Sequence, residues 1–257
     1  MCLLVVAWKS HPRYRLVVAG NRDEFHERPT APLGWWSDEP GILAGRDLRA
    51  GGTWLGLSRT GRFGLVTNFR DANGAAADAP SRGELVPRFL RGAAGARECL
   101  DALWPVAAAY AGFNLLLGDR DGLHYCTNAG DVAPRPLPPG VYGLSNHRLD
   151  EPWPKLVRTR ERFVAALGEA ELDAATLAYI LADRTPAALD APPDAGLPAD
   201  LERALSAPFV RHDRYGTRCS TVVLVEHDGR TVVHERRFDA SGTQTGASRI
   251  EFVETAA

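Results

Sequence analysis

The chain has 257 residues, with 30 Lys+Arg against 32 Asp+Glu and a net charge of -2. That length can bury a sizeable core and is read as one domain over 1–257, while a near-neutral balance supplies no bulk field to recruit nucleic acid or an anionic membrane surface. Function must come from a local site that takes a small molecule.

The opening run Cys2-Leu3-Leu4-Val5-Val6-Ala7-Trp8 is too short to span a bilayer and has no basic stretch before it and no small-residue cleavage site after it, so neither a signal peptide nor an integral membrane segment is expected. The four cysteines, Cys2, Cys99, Cys126 and Cys219, are widely spaced. Without an export signal they read as reduced thiols in a cytoplasmic protein. Only Lys9 and Lys155 are lysines, an arginine preference that fits either phosphate recognition or a GC-rich genome.

Residues 2–8 and 14–20 form two nearly continuous apolar runs about the turn-prone Lys9-Ser10-His11-Pro12-Arg13. They read as a hairpin whose strands are covered on both faces. A polar, proline-rich stretch follows to Pro40, then glycine-punctuated strands at 41–44, 53–58 and 62–69, with tight turns at Gly51-Gly52 and Gly61. Helical spacing marks 82–91 and 95–109, and Ser81 with Glu84 resembles a capping box. Strands return at 113–117, 122–127 and 141–146, the last after a proline-rich crossing from Pro134 to Pro139. Helices are expected at 154–167 and 172–183, a surface loop at Thr185–Asp200, and a closing meander at 217–226, 231–239 and 248–254 with a turn at His227-Asp228-Gly229-Arg230. Strands and helices come in blocks, without regular βα alternation or repeats, which fits antiparallel sheets sandwiched by helices.

Cysteine at position 2 is small enough for the initiator methionine to be removed. Thiol and α-amine would then share one carbon, and with pKa values of roughly 8.5 and 7.7–8.0 one can hold the proton the other releases. The alternative is a small apolar residue opening a buried strand. Hairpin pairing returns Asn21-Arg22-Asp23-Glu24 to the start of the first strand. There Asp23 could orient the α-ammonium and Arg22 could favour the thiolate or grip a carboxylate, although a charged turn with an internal ion pair has the same composition. Asn68 and Asn146 each end an apolar run, where an amide N–H can serve an oxyanion or simply make a turn. Arg218 begins the last long strand, as a support for the amine, a substrate contact or a rim charge. Trp35, Trp36 and Trp54 could line a ligand pocket, with core packing the alternative for Trp54. His124 and Cys126 share a strand face, but no second pair completes a metal site, so no metal or cofactor is expected. His26 and His147, near polar strand ends, are the candidates for an axial haem ligand.

Met1-Cys2-Leu3-Leu4, Asn21-Arg22-Asp23-Glu24-Phe25, Arg28-Pro29, Trp35-Trp36, Ala44-Gly45-Arg46-Asp47, Gly51-Gly52-Thr53-Trp54-Leu55-Gly56, Thr67-Asn68-Phe69-Arg70, Gly143-Leu144-Ser145-Asn146 and Arg218-Cys219-Ser220-Thr221 together resemble the NRDE family, also called the transport and Golgi organisation 2 family. The resemblance spans nearly the whole chain. That family is similar in turn to N-terminal nucleophile hydrolases of the penicillin and bile-salt acylase type, which implies an α+β fold, an αββα four-layer sandwich of two antiparallel sheets covered by helices. In such cysteine amidases an Asp after the second strand, two strand-end asparagines and a late arginine surround the N-terminal Cys. By motif these fall on Asp23, Asn68, Asn146 and Arg218. The amidases also carry an arginine before the Asp where this chain has Gly20, with Arg22 offset from it.

Two functions are therefore expected. In the first, Cys2 attacks a linear amide or acyl bond, assisted by Asp23, Asn68, Asn146 and Arg218, with Asn21, Arg22 and Trp54 contacting substrate. In the second, the same pocket binds or carries haem or an acyl-lipid-type apolar ligand without turnover, in line with family proposals about haem handling, lipid metabolism and secretory organisation.

Overall fold

A computed structural model describes residues 2–70, 79–130, 132–187 and 198–255. Two antiparallel sheets lie face to face. The first has the order β10-β1-β2-β11-β12-β13, built from β1 (Leu3–Trp8), β2 (Tyr14–Phe25), β10 (Gly140–Leu144), β11 (Tyr215–Glu226), β12 (Arg230–Phe238) and β13 (Gln244–Val253). The second runs in sequence order through β3 (Thr30–Trp35), β4 (Ile42–Asp47), β5 (Leu55–Ser58), β6 (Phe63–Asn68), β7 (Phe113–Gly118), β8 (Leu123–Thr127) and β9 (Val132–Leu137). The helices are α1 (Leu85–Arg91), α2 (Ala96–Leu103), α3 (Pro154–Leu167), α4 (Ala174–Leu181) and α5 (Ala199–Leu205).

Strand alternation sorts the apolar residues into three cores. In β1, Leu4, Val6 and Trp8 face the opposite sheet, while Leu3, Val5 and Ala7 face Leu156 and Phe163 of α3 and Leu177 and Leu181 of α4. A strand between two layers needs apolar residues at consecutive positions, which is why β1 is unbroken by polar residues. The second sheet is sorted the same way, sending Leu55, Leu57 and Leu65 inward and Ile42, Val66 and Leu115 outward against Phe89 and Leu90 of α1 and Leu100 of α2. The result is the αββα sandwich. No helix among the described residues is long and apolar enough to cross a membrane.

Several local expectations are corrected. The stretch before Pro40 contains β3, and the proline-rich crossing at Pro134 contains β9. Both are edge strands, where a proline without an N–H is tolerated. The segment 82–91 divides into a 3-10 turn at Arg82–Glu84 and α1, and 95–109 divides into α2 and a 3-10 stretch at Trp104–Ala109. Ser81 makes no side-chain cap bond, and Glu84 instead accepts from Tyr110 Oη at 2.7 Å. Of the expected loop at Thr185–Asp200, residues 188–197 lie outside the described residues, and its end belongs to α5.

The loop before β5 docks on the 3-10 turn through the Thr53 N–H, which donates to the Gly83 carbonyl at 2.9 Å. A Cβ on Gly52 would stand 2.2 Å from that carbonyl oxygen. Gly52→Ala is therefore expected to cost about 1–3 kcal/mol by overpacking, and thermal denaturation should register it as a fall in Tm of roughly 2–4 °C per kcal/mol.

Candidate active site

The two strands of the opening hairpin differ in length, and the difference makes the site. The last β1–β2 pair is Leu3 with Asn21, yet β2 continues to Phe25 with only β11 beside it. One step beyond the Leu3–Asn21 pair, Cys2 stands opposite Arg22 on the face that looks toward the second sheet. Beyond the end of β1 a cleft of about 750 Å³ opens between the sheet ends, and Cys2, Arg22, Asp23, Trp54 and Asn68 all line it. Gly20, where the resemblance looks for arginine, packs under Leu4; a Cβ there would stand 3.0 Å from the Leu4 Cβ.

Asn146 joins the sheets at Cys2. Its Oδ1 accepts from the Cys2 backbone N, its Nδ2 donates to the Asn68 carbonyl at 2.8 Å, and its own carbonyl accepts from the Arg70 N–H at 2.7 Å. It is 1% exposed and adopts φ 55°, a left-handed conformation that asparagine tolerates better than most residues. Both of its side-chain polar atoms are committed, so the amide fixes the Cys2 nitrogen. The Asn68 side chain is exposed and lines the cleft.

Burial pushes the Cys2 thiol up, and the Asp23 carboxylate pushes the same way, with the Asp23 backbone N–H and Arg22 opposing. Burial also raises Asp23, opposed by Lys155, by the Thr217 hydroxyl that donates to Oδ1 at 2.6 Å, and by Arg22. Lys155, at the start of α3, is 4% exposed and donates to the Leu205 carbonyl at 2.8 Å. Burial lowers its pKa, and the charges of Asp23 and Cys2 raise it. Sequence reasoning passed over Lys155 as a site residue. Its one signal was rarity, because a compact, strongly solvated ammonium is an unusual choice in a chain that otherwise uses arginine.

Arg22 stacks on Trp54, with Cζ 4.4 Å from the ring centroid, and lies 3.6 Å from Glu24 and 3.9 Å from Asp47. Arg28 completes this wall through a 2.6 Å ion pair to Asp47. Burial works against the Asp47 charge, yet hydrogen bonds from Arg28 and from the Ala50 and Arg49 backbone N–H groups hold it below the usual carboxylate range. Trp54 both lines the cleft and packs on the inter-sheet core.

Six of the expected site residues lie elsewhere. The Asn21 side chain is on the helix side of β2, donating to the Leu181 and Pro208 carbonyls at 2.9 and 2.8 Å and accepting from Ser220 Oγ at 2.6 Å, so alternation turns it from the cleft. Arg218 is the extra residue of a β-bulge between Thr217 and Cys219, and its Nη1 donates to the Phe25, His26 and Arg28 carbonyls at 3.0, 3.2 and 3.1 Å. It secures the turn after β2 and is not among the residues lining the cleft. Trp36 lies in the core under α1, Trp35 packs on Phe252, and His26 and His147 contact the His212 carbonyl and Glu151.

The family model described as Transport and Golgi organisation 2 matches residues 1–240. The Transport and Golgi organization 2 homolog of Mus musculus is 34% identical over 256 residues, covering 92% of each chain, and the Homo sapiens homolog is 33% identical over the same length and coverage. Among solved structures, the Caenorhabditis elegans ortholog of N-acylethanolamine-hydrolyzing acid amidase matches with a TM-score of 0.51 at 11% identity, over 87% of this chain and 92% of that one. That likeness is one of fold, the N-terminal nucleophile hydrolase sandwich.

Two outcomes follow from the geometry. Asn146→Ala should lose roughly 2–4 kcal/mol, combining a left-handed backbone penalty with lost buried hydrogen bonds, and Asn146→Gly should recover the backbone part in urea denaturation. For Asp23 the folded pKa lies above the unfolded one, so its ionisation works against folding as pH rises from about 4 through the raised value. Lys155 offsets that cost, and the stability deficit of Lys155→Met should therefore be larger at pH 7 than at pH 4.

Proposed function

The chain belongs to the transport and Golgi organisation 2 family, and from that premise and its amidase-like fold we propose that it is a cysteine amidohydrolase acting on a linear amide or related acyl bond. The observation that carries the reading is the Cys2 nitrogen, held by Asn146 at the head of a cleft of about 750 Å³ with the thiol half-buried beside it. Removal of Met1 would turn that nitrogen into an α-amine already supplied with an acceptor.

In the proposed reaction the α-amine takes the thiol proton as Sγ attacks the carbonyl carbon, forming the S–C bond. The carbonyl oxygen becomes an oxyanion served by the Asn68 side-chain amide. Collapse breaks the C–N bond, and the ammonium returns its proton to the leaving nitrogen. Water then attacks the thioester, giving a proton to the amine; the S–C bond breaks, and the carboxylic acid and the thiol are released. Asp23 holds the ammonium form in place, with Lys155 behind it balancing the carboxylate. Asn146 orients the amine, a task different from the oxyanion role expected of it. Arg218 supports the loop that carries Arg28.

A second reading, binding of an acyl or haem-like ligand without turnover, is favoured by the raised thiol pKa, since a protonated thiol is a weak nucleophile. The walls formed by Arg22, Glu24, Arg28, Asp47 and Arg82 suit a ligand with a polar end better than a wholly apolar one.

Intact mass of the purified protein should show loss of Met1, and the processed protein should cleave N-acylethanolamines or related acyl amides. Cys2→Ala should lower that turnover by at least about a thousandfold. A processed wild-type protein that binds such amides with unchanged affinity in Cys2→Ala but turns none over would replace the enzyme reading with the carrier one.

A further inference from the structure

Charge is unevenly matched within the cleft. Arg22 and Arg28 share Glu24 and Asp47, and Asp23 has Lys155 behind it. Arg49 and Arg82 line the same cleft with no carboxylate within ion-pairing distance among the described residues, which leaves an excess of positive charge on one side of it. Arg82 is partly buried on the 3-10 turn that faces Cys2 across the opening, and one of its terminal nitrogens donates to the Gly112 carbonyl at 2.9 Å. Its other donors have no protein partner among the described residues. A half-buried guanidinium that lines the cleft with most of its planar fork unpaired by protein among the described residues is placed to take a bidentate oxyanion there.

Resting on the amide or acyl reading above, we propose that Arg82 anchors an oxyanion group of the ligand, a carboxylate or a phosphoryl group on the part of the molecule beyond the scissile bond, and that Arg49 at the mouth adds a second, salt-sensitive contact. The ligand is then an anionic acyl compound. Its charged end is drawn to the mouth by Arg49 and fixed by the fork of Arg82, which presents the acyl carbonyl toward Cys2. Arg22, named at first as the carboxylate grip, is already engaged by Trp54 and Glu24 and takes the supporting position.

The test is calorimetric binding to Cys2→Ala protein, so that turnover plays no part. Three ligands with one acyl chain are compared: an N-acylglycine, an N-acylphosphoethanolamine and an uncharged N-acylethanolamine. At least one charged ligand should bind ten-fold or more tightly than the neutral one and weaken as salt rises. The stronger of the two charged ligands identifies the oxyanion. Arg82→Gln should reduce charged-ligand affinity 10- to 100-fold and leave the neutral ligand within two-fold. Arg82→Lys should recover part of the loss, and Arg49→Gln should lose two- to five-fold with a weaker salt dependence. If Arg82→Gln does not fold, Arg82→Lys carries the comparison. Equal binding of charged and neutral ligands, binding of none of the three, or charged-ligand affinity indifferent to Arg82 would overturn the proposal. Absence of turnover by the processed wild-type protein would instead count against the amidohydrolase reading alone.

Discussion

One side chain holds the two halves of the sandwich in register at the candidate site. Asn146 takes the Cys2 nitrogen from the first sheet and the Asn68 carbonyl from the second, and its backbone reaches Arg70. Apolar packing between sheets is strong but non-directional, and it fixes the layer spacing better than it fixes the alignment of strand ends. Buried hydrogen bonds supply direction, because leaving any of these groups unpaired costs about 1–3 kcal/mol. Asn114 strengthens the same junction, donating to the His147 carbonyl at 2.9 Å and accepting from Tyr125 Oη at 2.7 Å.

Around that junction the site is arranged by unequal strand lengths and by opposed charges. The overhang of β2 beyond β1 makes room for the cleft and presents Arg22 and Asp23 on opposite sides of one strand. Arg22 joins a wall of paired charges stacked on Trp54, and Asp23 faces the helix layer, where Lys155 and Thr217 meet it. Charged groups are thus packed close to the thiol, and no histidine is among the described residues that line the cleft.

Much of this was legible in the sequence because the features concerned are local. The unbroken apolar runs of β1 and β2 could only belong to a doubly covered hairpin, and the turn at Lys9, with φ 45°, closes it as its polar neighbours suggested. Asp23, Asn68 and Asn146 carry strand-end motifs, and each reaches the region of Cys2. What escaped depends on long-range geometry. The edge strands β3 and β9 are hidden by Pro32, Pro134 and Pro136, residues that speak against a strand until its place in the sheet is known. The direction of Arg22 and Asn21 turns on a register that alternation can specify only once one pair is fixed. Arg218 owes its position to a bulge, and Lys155 approaches Asp23 from a helix more than a hundred residues along the chain.

The central pairing of β2 with β11 has a consequence for how the chain is made. Asn21 meets Ser220 across 199 residues of sequence, so the middle of the first sheet cannot close until nearly the whole polypeptide has left the ribosome. At about 5–20 residues per second, the amino terminus waits on the order of 10–40 s before its neighbours arrive. During that interval β2 can have β1 beside it but not yet β11. A trimming enzyme working on nascent chains would therefore meet Cys2 before the cleft around it is complete.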